Sequence, residues 1–354
     1  MKRRKARIVK IGNIGIGGDY PVAIQSMTKC KTADIPDALR QIKELAALGC
    51  DIVRLAIKDS GDAEALRKIK ERINMPLVAD IHFDWRLALK AIEAGADKVR
   101  LNPGNIYKKE QIREIAYAAA LKKIPIRVGL NSGSLPPRKA QVKDIAGGMV
   151  KSAMDYIKIL ERYDFRNIVI SLKASNIADT VNAYRKISRL CDYPLHLGVT
   201  ATGTAGTGVI KSAIAIGALL LEGIGDTIRI SLTAKPGEEV RAAKCILEAL
   251  SLRRFGPEII SCPTCGRCEI DLVKVVKELE SRLSGIDNRK FSRPVKLAVM
   301  GCLVNGPGEA KEADIAVAFG AKDGLLFKNG KPVRKISLSG CSAALLKELK
   351  SFLH

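Results

Sequence analysis

Short apolar segments alternate with amphipathic helical stretches along the first 250 or so residues of this chain. The apolar segments number eight and lie at residues 21–27, 51–57, 76–82, 98–103, 125–131, 167–173, 194–200 and 226–232. Apolar residues recur at intervals of three and four in stretches between them, which is typical of helices; examples are 37–48, 62–72, 85–94 and 178–190. Eight strand–helix units of this size predict a (β/α)8 barrel, called a TIM barrel. An open doubly wound sheet is the main alternative, and the regular spacing favours closure.

The two ends of the chain depart from this alternation. The glycine-rich residues 11–18 predict a hairpin that plugs the bottom of the barrel. Residues 253–257 resemble a linker, and a small α+β domain follows it. Its expected elements are a helix at 272–283, strands at 295–300 and 315–319, a hairpin turn at 328–331 and a last helix at 343–352. We therefore predict a barrel domain at 1–253 and a second domain at 254–354.

Composition limits the cellular setting and the partners. The nine cysteines are an odd number and no secretory signal precedes them, so thiols in a reducing cytoplasm are expected. The longest apolar runs are too short to cross a bilayer, and no membrane association is expected. The net charge is +23, which nucleic acid, an anionic membrane, an anionic substrate or an acidic protein could each explain. Aromatic residues make up only 4% of the chain, which disfavours a base-stacking surface, and no nucleic acid is expected.

Cations lie near the carboxyl ends of successive predicted strands. They are Arg54, Arg100, Arg127, Lys173 and Arg229. Barrel strands are buried on both faces, so these charges indicate a polyanionic ligand, and the arginine fork suits phosphate oxygens. Internal salt bridges are the alternative, but the strands carry too few acids to pair every cation. His82 with Asp80 is well placed for proton transfer, whereas His196 is equally consistent with a buried core histidine.

A glycine-rich loop follows the seventh predicted strand. It runs from Thr200 to Gly208 and leads into an apolar helix. Barrels often bind phosphate in the loops after strands seven and eight, through backbone N–H groups at a helix start. Glycine-rich loops alone are weak signals, and the position of this one strengthens it.

Four cysteines of the second domain indicate a metal centre. Cys262, Cys265 and Cys268 have CxxCxxC spacing, and Cys302 lies in a glycine- and proline-rich stretch that ends at Glu309. Structural zinc sites usually pair two CxxC motifs, whereas an iron–sulfur cluster is compatible with one CxxC pair and a remote cysteine. The fourth ligand is either Cys268 or a carboxylate oxygen of Glu309, which is expected in a tight Gly-Pro-Gly turn.

These motifs resemble those of the bacterial 4-hydroxy-3-methylbut-2-enyl diphosphate synthase family. The match covers Cys-Pro-Thr-Cys-Gly-Arg at 262–267 and Gly-Cys-Leu-Val-Asn-Gly-Pro-Gly-Glu at 301–309. Further matching motifs lie at 25–28, 79–84, 100–105, 127–131 and 222–227. Several motifs in the same order over nearly the whole chain make the resemblance specific.

The resemblance implies reductive ring opening and dehydration of 2-C-methyl-D-erythritol 2,4-cyclodiphosphate to (E)-4-hydroxy-3-methylbut-2-enyl diphosphate. It implies a [4Fe-4S] cluster held by Cys262, Cys265, Cys302 and Glu309. A carboxylate is harder and more easily displaced than a thiolate, so one iron can open to a substrate oxygen while the cluster donates electrons. Together with the strand pattern, it predicts Glu309, His82 and Asp80 as catalytic residues. The predicted substrate-binding residues are Arg54, Arg100, Asn102, Arg127, Asn131, Lys173, His196, Thr200, Arg229 and Ser231.

The resemblance also implies partners. Flavodoxin or ferredoxin would donate the electrons, and a basic protein suits such acidic partners. The family forms a head-to-tail homodimer in which the cluster of one subunit closes over the barrel of another, with the linker near 253–258 as hinge.

The sequence departs from the family pattern at two positions. Ala201 stands where the family usually has a glutamate proposed to face the substrate, so proton delivery here needs another group, such as His82, His196, a loop threonine or water. Cys268 is not required by the family and could compete with Glu309, although Glu309 is favoured because an all-cysteine cluster lacks an open iron. Two alternatives remain: a basic RNA-binding protein with a structural zinc site, and a phosphate-binding barrel enzyme whose cysteines are structural.

Overall fold

The computed structural model describes residues 2–134, 144–200, 202–283, 286, 291, 293, 295–302, 304 and 306–353. Ala201, on which one departure from the family pattern falls, lies outside the described residues. The chain divides into two compact units, Met1–Arg253 and Arg254–His354.

The first unit contains an eight-stranded parallel sheet in its described part. Its strands are β3 (Ala23–Met27), β4 (Ile52–Ile57), β5 (Leu77–Ile81), β6 (Lys98–Leu101), β7 (Ile126–Asn131), β8 (Ile168–Lys173), β9 (His196–Leu197) and β10 (Thr227–Ile228). The strand order is β8-β7-β6-β5-β4-β3-β10-β9. A parallel bridge between Ile170 of β8 and Leu195 joins the two ends of this sheet. The predicted (β/α)8 barrel is therefore confirmed, and the alternative of an open doubly wound sheet is wrong.

Helices follow the strands of the barrel. They are α1 (Ile35–Ala47), α2 (Ser60–Lys70), α3 (Arg86–Glu93), α4 (Lys109–Leu121), α5 (Ile145–Arg162), α6 (Ile177–Leu190), α7 (Ala205–Leu221) and α8 (Pro236–Ala249). Side-chain caps set several of their first turns: Asp34 accepts a hydrogen bond from the N–H of Asp37, and Asn176 accepts one from that of Asp179. Among the described residues, no helix is both long and apolar enough to cross a membrane.

The N-terminal hairpin covers one end of the barrel. Strands β1 (Val9–Ile11) and β2 (Ile14–Ile16) pair antiparallel. Val9, Ile11 and Ile16 pack in one apolar cluster with residues at the beginnings of the barrel strands, among them Ala23 and Ile52. The predicted plug is confirmed, and the opposite end, where the strands finish, is left for polar side chains.

The second unit is built on a five-stranded mixed sheet. Its strands, in the order in which they pair, are β11 (Glu258–Ser261), β12 (Lys296–Met300), β13 (Ile315–Phe319), β14 (Asp323–Lys328) and β15 (Lys331–Ser337). Strands β11 to β13 run parallel, and the last three are antiparallel. Its helices are α9 (Leu272–Leu283), α10 (Gly306–Ala310) and α11 (Cys341–Leu349).

Two apolar clusters hold this sheet. Helices α9 and α11 pack on one face through side chains such as Leu279 and Leu345. On the other face, Ala310 of α10 packs with alanines of β12 and β13 and with Phe327. The hairpin turn expected at 328–331 is present, with Asn329 and Gly330 both at positive φ (49° and 75°). The expectation that Glu309 lies in a tight turn is wrong, because Glu309 lies in α10. This helix approaches β12 and β13 closely at Gly306, where a Cβ would meet Ala318 and Met300 at 3.0 Å.

Candidate active site

A polar cavity of about 240 Å³ lies at the carboxyl ends of the barrel strands. Its lining consists of Met27, Arg54, Asp80, His82, Arg100, Arg127, Asn131, Ser171, Lys173, Val199, Thr200, Arg229 and Ser231. Eight of the ten predicted substrate-binding residues are in this lining, with the predicted pair His82 and Asp80. The strand pattern places them together because each ends a strand, or follows one, on the same side of the barrel.

Asp80 is the carboxylate around which the cavity is organised. It is buried on β5, and Arg54 Nε lies 3.7 Å from its Oδ2 and Arg100 Nη1 lies 3.3 Å from its Oδ1. His82 Nε2 is 3.2 Å from Oδ2. Burial by itself would raise the pKa of Asp80, but Arg54, the His82 hydrogen bond and Arg100 outweigh it and hold the pKa well below its usual range. Asp80 is therefore an anion that aligns two guanidinium groups and one imidazole.

Several guanidinium donors in the cavity wall are buried without partners. Arg127 is 1% exposed, and its Nε and Nη1 have no hydrogen-bond partner in the described parts of the chain; the same holds for Nε of Arg100 and of Arg229. Arg100 Nη2 donates to the carbonyl of Gly129 at 2.8 Å, which fixes the orientation of that side chain. An unpaired buried donor costs about 1–3 kcal/mol. Donors held in this way are arranged for an anion.

A second carboxylate, Glu239 of α8, supports the other side of the cavity. It is 1% exposed; its Oε2 lies 3.7 Å from Arg229 Nη2, and its Oε1 lies 3.0 Å from Lys29 Nζ. Its Oε1 also accepts a hydrogen bond from the N–H of Leu232. Sequence reasoning missed Glu239, although an acid on the apolar face of a helix, beside Val240 and Ala243, was a usable signal.

Burial and mutual repulsion affect the cations of the wall. Burial, followed by Arg229 and Arg127, lowers the pKa of Lys173 well below its usual value. Burial, followed by Arg54, lowers the pKa of Arg229 to about 10. Lys173 fits because position 198 is glycine: a Cβ there would lie 2.6 Å from Lys173 Nζ and 2.7 Å from the carbonyl of Arg229. A bound anion would reverse these downward shifts.

Asn102 and His196, both predicted to bind substrate, are not in the cavity lining. Asn102 is 3% exposed, and its Oδ1 accepts a hydrogen bond from the N–H of Gly104 at 3.1 Å. His196 is fully buried, with Nδ1 2.7 Å from Thr227 Oγ1. Burial, followed by Arg127 and Lys173, lowers its pKa well below the usual value, so its imidazole is neutral. Their roles stay predictions for which the structure gives no cavity contact.

Among the described residues of the glycine-rich loop, Thr200 lines the cavity. Farther along it, Thr202 Oγ1 donates to the carbonyl of Ser231, and the N–H of Thr233 donates to the carbonyl of Gly203 at 2.9 Å. These bonds tie the loop after β9 to the segment after β10. Phosphate binding by the start of α7 stays a prediction.

In the second unit, two predicted metal ligands follow the ends of neighbouring parallel strands. Ser261 of β11 pairs with Val299 of β12, so Cys262 and Cys302 leave the same edge of the sheet. The N–H of Gly301 donates to Cys262 Sγ at 3.3 Å. The Arg267 backbone N–H, followed by its side chain, lowers the pKa of the exposed Cys265 thiol. Glu309 is exposed on α10.

Cys268 behaves differently from Cys262. Its Sγ donates to the carbonyl of Ile270 at 3.3 Å, and its side chain packs against the apolar core. It also lies directly behind Gly301, where a Cβ would come within 2.3 Å of its sulfur. Cys341 and Cys50 are buried thiols with pKa values raised to about 12, chiefly by burial, whereas Cys245 is exposed.

The described residues fit a metal centre without forming a finished one. In the ranges that the structure covers, no three His, Cys, Asp or Glu side chains are close enough to hold a metal ion. Thiolates repel one another, and metal sites are commonly assembled by the metal itself. A thiophilic metal centre requires sulfur ligands, and three cysteines can supply them. Cys262 Sγ accepts a hydrogen bond, Cys265 has a lowered pKa, and Cys302 follows the strand next to that of Cys262.

Fold and site together define a (β/α)8-barrel protein with a cation-lined cavity and a second unit carrying thiol donors. Two family models divide the chain in the same way: the GcpE TIM-barrel domain matches residues 6–244, and the GcpE protein C-terminal domain matches 258–351. The chain belongs to the GcpE family.

Curated relatives match over almost the full length. One from Fusobacterium nucleatum is 51% identical over 352 residues, covering 99% of this chain and 97% of its own. One from Clostridium perfringens is 50% identical over 353 residues, covering 99% and 100%. Both are named 4-hydroxy-3-methylbut-2-en-1-yl diphosphate synthase (flavodoxin).

Solved structures confirm the barrel fold alone. Dihydropteroate synthase from Stenotrophomonas maltophilia superposes with a TM-score of 0.54 at 14% identity, covering 70% of this chain and 98% of its own. The Yersinia pestis enzyme of the same name gives a TM-score of 0.52 at 13% identity, covering 70% and 99%.

Proposed function

We propose that this protein is a 4-hydroxy-3-methylbut-2-en-1-yl diphosphate synthase of the methylerythritol phosphate pathway to isoprenoids. It reduces 2-C-methyl-D-erythritol 2,4-cyclodiphosphate with two electrons, opening the ring and releasing water. The identity to curated relatives of this name over nearly the whole chain supports the reaction. The observation that carries it is the set of buried, unpartnered guanidinium donors of Arg100, Arg127 and Arg229 around one cavity.

The cyclic diphosphate binds at the mouth of the barrel. Arg54, Arg127 and Lys173 contact its phosphoryl oxygens, and Asn131, Thr200 and Ser231 provide uncharged contacts around it. Charge-assisted hydrogen bonds of this kind are the stronger ones, at about 1.5–3 kcal/mol each. Asp80 holds Arg54 and Arg100 in the directions that this contact needs.

His82 is the group best placed to move a proton. Its side chain is 47% exposed at the cavity, and the Asp80 carboxylate fixes one ring nitrogen. Because Asp80 holds that nitrogen, the imidazole is oriented at the cavity to give a proton to a departing hydroxyl. This assigns to His82 the proton delivery that the family's glutamate would provide at position 201.

Cys262, Cys265, Cys302 and Glu309 would hold a [4Fe-4S] cluster. When bound, the cluster supplies two electrons, one at a time, and a Lewis-acidic iron for a substrate oxygen. The two sulfurs differ in their hydrogen bonds, because Cys262 accepts one from Gly301 whereas Cys268 donates one to Ile270. This difference supports Glu309 over Cys268 as the fourth ligand.

The remaining partners follow from the relatives and from charge. The relatives' name specifies flavodoxin, and the net charge of +23 suits an acidic donor such as flavodoxin or ferredoxin. A head-to-tail homodimer, with hinge motion at 254–257, would bring the cluster of one subunit to the barrel of the other. Arg253 is part of the barrel unit because it pairs with Asp51, so the hinge is expected to begin after it. A cytoplasmic location is proposed with these partners.

The test is anaerobic purification followed by iron, sulfide and zinc analysis. Four irons and four labile sulfides per chain are expected for a [4Fe-4S] cluster, with Cys262→Ser losing both the cluster and turnover. Stoichiometric zinc without sulfide would overturn the cluster assignment and favour a zinc protein. Full turnover by Cys262→Ser would instead favour a barrel enzyme with structural cysteines. The RNA-binding alternative receives no support from the family models, which are both of GcpE.

A further inference from the structure

A fully buried lysine lies beneath the cavity and is not part of its lining. Lys98 begins β6 and is 0% exposed. Arg100, two residues along the same strand, lines the cavity, so Lys98 points into the same interior one layer deeper. Lys98 Nζ crosses the barrel to Gln25 Oε1 of β3 at 3.2 Å. An amide oxygen accepts this hydrogen bond from either an amine or an ammonium group.

The surroundings of Lys98 contain more cations than anions. The groups that face it are Arg54 of β4, Arg127 of β7 and His196 of β9, with Lys173 of β8 and Asp80 of β5 in the layer of the cavity. Asp80 is shared by Arg54 and Arg100, and Glu239 is shared by Arg229 and Lys29. These carboxylates pair with other cations, and among the residues that the structure describes no ion pair involves Lys98, Arg127 or Lys173.

We propose that Lys98 is an uncharged amine while the cavity holds no ligand, and that it takes up a proton from solvent when a diphosphate binds above it. The bound charge offsets the repulsion from Arg54 and Arg127, and the Gln25 hydrogen bond is kept in both states. Burial, followed by Arg127 and Arg54, lowers the pKa of Lys98 well below its usual value, in agreement with this. Lys98 is thus a positioning residue that adjusts the charge of the site to its ligand.

The proton has a use in the proposed reaction, on which this inference rests. Each phosphoryl group of a cyclic diphosphate has one ionisable oxygen. Ring opening leaves a terminal phosphoryl group with a second ionisation near pH 6. The product therefore brings about one more negative charge than the substrate, and Lys98 offsets it. Lys98→Met should weaken binding of the linear product more than binding of the cyclic substrate.

Linkage provides the measurement. Inorganic pyrophosphate is titrated calorimetrically into the reconstituted holoenzyme between pH 6.5 and 9, in buffers of different ionisation enthalpy. Proton uptake makes the affinity fall as pH rises, and the slope of log affinity against pH is minus the number of protons taken up. Wild type and Lys109→Met, a change at an exposed lysine of α4, should take up about one proton more than Lys98→Met. Equal uptake by all three would overturn the proposal.

Wild-type protein alone supplies a second reading if Lys98→Met does not fold. In NMR spectra of protein with ¹³C-labelled lysine, one Cε signal should move from the chemical shift of a neutral lysine to that of a charged lysine when pyrophosphate is added. The same change should be seen in Lys173→Met. No such signal would overturn the proposal. Pyrophosphate binding without uptake at Lys98 leaves the proposed function standing, whereas no binding to wild-type protein would overturn both.

Discussion

Arg127 offers the clearest conflict between stability and binding in this barrel. Its guanidinium is 1% exposed, carries two unpartnered buried N–H groups and faces other cations. Replacing buried charges by apolar groups of similar size is often stabilising by about 1–4 kcal/mol. We expect Arg127→Met to unfold at higher temperature, and a gain of about 2 kcal/mol corresponds to roughly 4–8 °C for a domain of this size.

The same change should weaken ligand binding. Loss of one charge-assisted hydrogen bond of about 1.5–3 kcal/mol corresponds to roughly 10- to 150-fold in affinity. The assays are thermal unfolding by circular dichroism without ligand, and calorimetric titration with inorganic pyrophosphate. Arg113→Met, at an exposed arginine of α4, is the control and should change neither quantity. A destabilised Arg127→Met that binds pyrophosphate as wild type does would refute the reasoning.

Three further predictions concern the Asp80 carboxylate and the predicted metal ligands of the second unit. Asp80→Asn should lower the free energy of unfolding by about 3–5 kcal/mol at pH 7. The folded-state pKa of Asp80 is held below the unfolded value of about 3.9, so this loss should become smaller only below that pH. Urea unfolding at pH 7 and at pH 3 measures the difference. Gly301→Ala would push a Cβ to within 2.3 Å of Cys268 Sγ, so iron content should fall, and the double variant Gly301→Ala/Cys268→Ala should restore it; no recovery would contradict this packing. Glu309→Ala should keep the fold and lose turnover whereas Cys268→Ser keeps turnover, and the reverse pattern would make Cys268 the working ligand.

The barrel was predictable because its strands are apolar segments rich in β-branched residues, with amphipathic helices between them. The hairpin plug was predictable from the glycine-rich residues 11–18, and the helix at Leu272–Leu283 carried an equally regular apolar pattern. Strand β11 was missed because it is only four residues long and none of them is fully buried. Helix α10 was missed because Gly-Pro-Gly is typical of turns, and only packing against Ala318 and Met300 makes it a helix.

The candidate site was predictable where one strand position decides a side chain's direction. Arg54, Arg100 and Lys173 could be placed at the cavity in this way. Contacts across the barrel could not be predicted, because they depend on register and closure: Lys98 reaches Gln25 over three strands, and Glu239 reaches Arg229 from a helix. His196 illustrates the same limit, since strand position alone does not separate the cavity from the layer beneath it.

Turnover by the reconstituted enzyme tests the central claim most directly. Protein with a complete iron and sulfide content is mixed anaerobically with reduced flavodoxin and 2-C-methyl-D-erythritol 2,4-cyclodiphosphate, and the product is followed by phosphorus NMR. The account predicts stoichiometric conversion to 4-hydroxy-3-methylbut-2-enyl diphosphate, which is lost in Cys302→Ser and slowed in Arg127→Met. A cluster-replete wild-type protein that leaves the cyclic diphosphate unchanged would contradict it.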